Sequence, residues 1–156
     1  MKLFNKVVKK LINKDISTSV AESCTGGLLS SKITSVSGVS KIFYLGLVVY
    51  SNQSKSTILN IPSKFIFKYG AVSSQLISKA LHNLHKKTKS KLCICTTGIA
   101  GPNGGTKQKP VGLVYIGIKK GNRINIHKYF FKNKSRSYIQ KATVKKSLDL
   151  ILRVIK

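Results

Sequence analysis

At 156 residues and 42% hydrophobic content, the chain is long enough to bury the core of one domain, and no apolar run reaches transmembrane length. Three cysteines, an odd number, argue against a disulfide framework and for a reducing, cytoplasmic compartment. Lysine and arginine outnumber aspartate and glutamate 29 to 3, a formal net charge of +26, but only Arg123, Arg136 and Arg153 are arginines and the lysines are scattered, so the excess reads as a solvated basic surface and not as a specific nucleic-acid site.

Leu3, Phe4, Val7, Val8, Leu11 and Ile12 repeat at helical spacing, so residues 3–12 are expected to form a helix with a basic outer face. No secretory signal is expected there, because the basic residues lead into no long apolar segment. Ile16 to Ala21 reads as a short strand and Leu28 to Ile33 as a helix that fades in the Ser/Gly stretch 35–40. Ile42 to Tyr50 is apolar, β-branched and aromatic, and predicts a second strand buried on both faces. Ser51 and Asn52 are candidate caps for a short helix carrying Lys55, Ile58 and Leu59. Pro62 opens another helical turn through Tyr69, and Gly70 ends it. Ser73 caps a helix to about Lys87, and Leu92 to Thr97 is a third strand with Cys93 and Cys95 on one face. After a glycine-rich loop, Val111 to Ile118 and Ile124 to Phe131 form a hairpin across Lys120-Gly121-Asn122. An amphipathic helix from about Ser137 closes the chain. The order predicts one α/β domain over residues 1–156, with a mixed, mostly parallel five-stranded sheet and helices on both faces.

If the first three strands are parallel, the loops Ser23 to Gly27, Ser51 to Lys55 and Thr97 to Gly105 lie together at one edge of the sheet, where such sheets place ligands. Ser23, Cys24 and Thr25 are three possible nucleophiles at the strand-to-helix turn. The plainer alternative is a tight turn made by Gly26 and Gly27 with Thr25 as a cap. No histidine is well placed to activate Ser23, since His82 and His85 sit in a helix and His127 in the hairpin. A desolvated lysine can act instead, and Lys55 is the neighbour this topology offers; its alternative role is one more solvated lysine. The backbone N–H groups of Thr25, Gly26 and Gly27 are the expected oxyanion donors. The loop 98–105 would let main chain approach a phosphate or sugar, or is a plain connection. Asp15, Glu22 and Asp149, the only acids, form no metal-ligand cluster, and Glu22 reads as a cap before it reads as a catalyst.

Ala21-Glu-Ser-Cys-Thr-Gly-Gly27, Tyr50-Ser-Asn52 with Lys55, Gly70-Ala-Val-Ser73, Gly98-Ile-Ala-Gly-Pro-Asn-Gly-Gly105 and Lys109-Pro-Val-Gly112 stand in order. Together they closely resemble the CinA C-terminal domain family, the nicotinamide-nucleotide amidohydrolases of PncC type. The resemblance covers nearly the whole chain. It implies a three-layer α/β/α fold and hydrolysis of nicotinamide mononucleotide to nicotinic acid mononucleotide and ammonia, without metal or cofactor, in the stand-alone form of the protein. Carried onto this chain, it makes Ser23 the nucleophile and Lys55 its base. Tyr50 and Asn52 shape the site, Thr25, Gly26 and Gly27 hold the oxyanion, and Thr97, Gly98, Gly101, Gly104 and Gly105 face the nucleotide. The family's Gly-Asp-Arg segment, followed by an arginine about a turn later, reads here Asn133-Lys134-Ser135-Arg136 and then Ile139-Gln140-Lys141. Arg136, one position late, or Lys134 and Lys141 are left to grip a phosphate. A homodimer is the expected assembly. The changed segment also motivates a second reading, a nucleotide-binding domain with little or no activity; the charge motivates a third, a nucleic-acid-binding protein.

Overall fold

The computed structural model describes residues 2–156. Helix α1 (Leu3–Asn13) leads into strand β1 (Thr18–Glu22) and helix α2 (Leu28–Thr34). A 3-10 turn at Val39–Lys41, not foreseen in the Ser/Gly stretch, precedes β2 (Phe43–Val48). Helices α3 (Asn52–Leu59), α4 (Ser63–Tyr69) and α5 (Ser74–Thr88) follow, then β3 (Leu92–Gly98), β4 (Leu113–Lys120), β5 (Arg123–Phe130) and α6 (Arg136–Val154). Two of the candidate caps are in place: Ser51 Oγ accepts from Ser54 N at 3.0 Å, and Ser73 Oγ accepts from Leu76 N at 3.1 Å, while Asn52 is the first residue of α3 and not its cap. Each satisfies an amide that the first helical turn would leave without a partner.

The sheet order is β2-β1-β3-β4-β5, with β1 parallel to β2 and to β3, and β3-β4 and β4-β5 antiparallel. Only β4 therefore runs against the others. One face packs against α1, α2 and α6 through Val20, Ile94 and Ile116. The other packs against α3, α4 and α5 through Ala21, Cys93 and Cys95. The result is the three-layer α/β/α arrangement. Helix α5 lies close enough over β4 that a Cβ on Gly117 would meet Leu81 Cδ1 at 2.7 Å. The cysteines are free and buried, and Cys93 and Cys95 share a face as their spacing requires.

One expectation is corrected. The β2 run is not buried on both faces: it is the edge strand, and its side chains alternate between half-buried and exposed, with Tyr44 68% and Val48 52% exposed. A continuous apolar run fits a central strand, but nothing in the run itself records which strands flank it. Among the described residues, no helix is long and apolar enough to cross a membrane.

Candidate active site

Strands β1, β2 and β3 point their carboxyl ends the same way, and the three loops that follow them meet there. Glu22 ends β1, and its carboxylate is fully buried. It accepts from Gly27 N at 3.2 Å, Leu29 N at 3.0 Å, Ser30 N at 2.8 Å and Ser30 Oγ at 2.7 Å. A negative group at the positive end of α2 is favoured by the helix dipole as well as by these bonds. So Glu22 is the cap of α2. Thr25 is not: its hydroxyl turns inward to Thr96 Oγ1 at 2.9 Å. Gly26 and Gly27, at φ 58° and 97°, take the left-handed conformation that carries the chain from strand to helix. Replacing Glu22 by glutamine should leave buried amides facing an NH2 group and cost about 2–4 kcal/mol, read as a lowered urea midpoint with unchanged slope.

The next residue, Ser23, faces the opposite way. Lys55, delivered by the first turns of α3, is only 3% exposed, and its Nζ lies 3.3 Å from Ser23 Oγ. The same Nζ donates to Tyr50 O at 3.0 Å. Ala21, Val49, Leu59, Ile61 and Leu76 surround the two side chains from behind. Burial lowers the Lys55 pKa from its ordinary value. No carboxylate offsets that cost, because Glu22 is spent on α2 and no ion pair involving Lys55 exists among the described residues. The Cys24 thiol is pushed up to about 12 by burial, so it stays protonated and is a poor rival nucleophile.

In front of Ser23 and Lys55 is a cavity of about 180 Å³, lined also by Cys24, Tyr50, Asn52, Thr97, Gly98 and Arg136. Arg136, the first residue of α6, spans its mouth: the guanidinium donates to Gly101 O at 2.8 Å and to Tyr50 Oη at 2.7 Å. It is therefore Arg136 that reaches the cavity from the altered segment. Lys134 instead lies over the Tyr138 ring, 5.0 Å from its centroid.

Two groups of expected site residues are corrected. The Gly26 N–H donates to Ser23 O at 3.0 Å and the Gly27 N–H to Glu22 Oε2 at 3.2 Å, so neither is free for an oxyanion. Of the three expected donors only the Thr25 N–H has no partner among the described residues. Gly104 and Gly105 line a separate open cleft of about 460 Å³ with Pro102 and Lys107, because the glycine loop turns away to pack on Val111. Gly101 meets the site only through its carbonyl.

Sequence reasoning also missed three contributors. Ala71 and Val72 line the cavity, and the motif Gly70-Ala-Val-Ser73 was the signal that could have found them. Thr97 Oγ1 donates to Ala71 O at 2.7 Å and fixes that wall. Gln140, one turn into α6, donates to Cys24 O at 3.0 Å. In a trans peptide the carbonyl of residue 24 and the N–H of residue 25 point oppositely, so Gln140 sets the direction of the free Thr25 N–H.

The CinA C-terminal domain model matches residues 1–155 of the sequence. The chain belongs to that family. The CinA-like protein of Prochlorococcus marinus MIT 9515 is 46% identical over 155 residues, and that of Dictyoglomus turgidum 42% over 147. These matches cover 96% and 94% of this chain but only 36% of each relative, so the chain spans about a third of their length. The crystal structure of the competence/damage inducible protein CihA from Agrobacterium tumefaciens is 30% identical and superposes with a TM-score of 0.92, covering 100% of this chain and 98% of that one. A CinA superfamily protein from Klebsiella pneumoniae, 22% identical, shares the fold at the same TM-score, covering 98% of this chain and 95% of that one. The CinA fold thus carries the Ser23–Lys55 pair in this member.

Proposed function

We propose that this CinA domain hydrolyses the carboxamide of nicotinamide mononucleotide, releasing ammonia and nicotinic acid mononucleotide, with Ser23 as nucleophile and Lys55 as general base. The observation that carries this reading is a buried lysine amine 3.3 Å from a serine hydroxyl, with no carboxylate to keep it charged. A neutral amine has two N–H bonds and one lone pair. Tyr50 O takes one N–H, which leaves the lone pair free for the Ser23 proton.

Oγ attacks the carboxamide carbon as its proton passes to Lys55. The developing oxyanion is met by the Thr25 N–H. Lys55 then gives the proton to the departing nitrogen, the C–N bond breaks, and ammonia leaves an acyl ester on Ser23. Water, deprotonated by Lys55, cleaves the ester and returns Ser23 with the carboxylate product. Arg136 supplies a guanidinium at the mouth, next to the amino end of α6, both favourable to the substrate phosphate. Its presence there weakens the motive for a domain without turnover, which was the altered segment 133–141.

The test is acid quenching during turnover of nicotinamide mononucleotide, followed by peptide mass analysis. The acyl nucleotide should be found on Ser23. A label on Cys24 or Thr25 would reassign the nucleophile, and turnover that leaves no residue acylated would remove the covalent route.

A further inference from the structure

A further cavity lies at the other end of the sheet. Its volume is about 800 Å³, within the usual span for small-ligand sites of roughly 300–1,000 Å³. Lys91 stands just before β3, Lys120 and Arg123 flank the β4–β5 turn, and Lys120 pairs with Leu92 at the amino end of β3. Ser23 and Thr97 stand at the carboxyl ends of β1 and β3. A strand of this length sets the two cavities about 20 Å apart.

His85, Lys89, Lys91, Lys120, Arg123 and Arg153 line this cavity, and no acidic residue does. Some of that charge is already used. Lys91 Nζ pairs with Asp15 Oδ2 at 3.0 Å, Lys120 Nζ donates to Val154 O at 2.8 Å at the carboxyl end of α6, and His85 Nδ1 lies 3.1 Å from Ser90 O. The side chains of Lys89, Arg123 and Arg153 have no hydrogen-bond or ion-pair partner among the described residues. Asp149, a turn before Arg153 on α6, is not paired with it. The chain has only three arginines among 29 cationic side chains, and the two that do not serve the Ser23 cavity converge here. A scattered basic surface explains lysines anywhere; it does not explain two unpartnered guanidiniums facing one cavity. Guanidinium forks match adjacent phosphate oxygens, where ammonium groups act as point charges.

We propose that this cavity is a second binding site, separate from the one at Ser23, for a small anion carrying two or more linked phosphates. Arg123 and Arg153 grip it, Lys89 adds charge, and Ile16 and Val154 form an apolar floor.

Calorimetric titration with inorganic tripolyphosphate at about 0.15 M salt, where exposed charges are largely screened, tests this. The wild type should bind saturably, and more tightly than it binds orthophosphate. Arg123 and Arg153 are exposed, so the double variant Arg123→Gln/Arg153→Gln should fold and should bind roughly tenfold more weakly per guanidinium lost. Lys6→Gln/Lys9→Gln removes the same charge from the outer face of α1 and should change nothing. Equal weakening in both pairs would reduce the effect to net charge. Binding that ignores the arginine variant would place the anion elsewhere, including at Ser23. A single-stranded oligonucleotide that depends on the arginines and is not displaced by tripolyphosphate would make this a nucleic-acid surface. Each of those results overturns the proposal.

Discussion

Replacing Ser23 by alanine should lower ammonia release from nicotinamide mononucleotide by about 10³-fold or more, while nucleotide binding changes little. The change deletes one oxygen from a residue 9% exposed and leaves the Glu22 cap and the Thr25 N–H in place. The expected signature is a collapse of kcat at nearly constant dissociation constant for the substrate. Arg136, Tyr50 and Asn52 lie outside the dyad and should continue to hold the nucleotide. A variant that kept a tenth or more of the wild-type rate would remove Ser23 from the chemistry.

Replacing Lys55 by methionine should be equally damaging to turnover and should stabilise the fold by about 1 kcal/mol near neutral pH, because a buried amine without a counter-charge is exchanged for an apolar chain of similar length. The pH dependence gives a second signature. Burial lowers the Lys55 pKa in the folded state below the ordinary 10.5. Below the folded value the amine is charged in both states and the burial penalty is present in full. Between the folded value and 10.5 the unfolded chain binds the extra proton, so wild-type stability rises with pH through that window. The methionine variant lacks this rise, so the stability gap between the two proteins should be widest on the acid side and narrow toward pH 10.5. The difference between the two is the quantity to follow, since the many other lysines titrate alike in both. Denaturant melts across alkaline pH measure it. A gap independent of pH would mean that Lys55 titrates normally. The same lowered pKa predicts a loss of activity in wild type on the acid side, as Lys55 takes up its proton.

Much of this was legible in the residues because the determinants are local. Helical spacing in α1 and α5, the caps Ser51 and Ser73, and the turn at Gly121 all act within a few residues of where they stand. The meeting of Ser23 with Lys55 was legible for a topological reason: parallel strands put successive loops at one edge. What failed depends on distant partners. The edge position of β2 is decided by where β3 inserts, far along the chain. The oxyanion assignment to Gly26 and Gly27 failed because the Glu22 carboxylate and the Ser23 carbonyl reach those amides first, and bond competition of this kind leaves no mark on spacing. Gln140 reaches Cys24 across 116 positions. The glycines at 104 and 105 looked like nucleotide contacts, yet a Cβ on Gly105 would meet Val111 N at 2.8 Å, so packing alone accounts for that glycine. Arg136 illustrates the reverse case. Counted along the sequence it stood out of place, but as the first residue of α6 its side chain reaches the cavity.

The reaction proposed for the Ser23–Lys55 pair of this CinA domain is cleavage of a nucleotide carboxamide. Ammonia release from nicotinamide mononucleotide, measured for the purified wild type beside Ser23→Ala and Lys55→Met with their folding checked by circular dichroism, tests it most directly. The wild type should release ammonia steadily, and both variants should lose that release. Release that persists in either folded variant, or a wild type that binds the nucleotide and frees no ammonia, would contradict it.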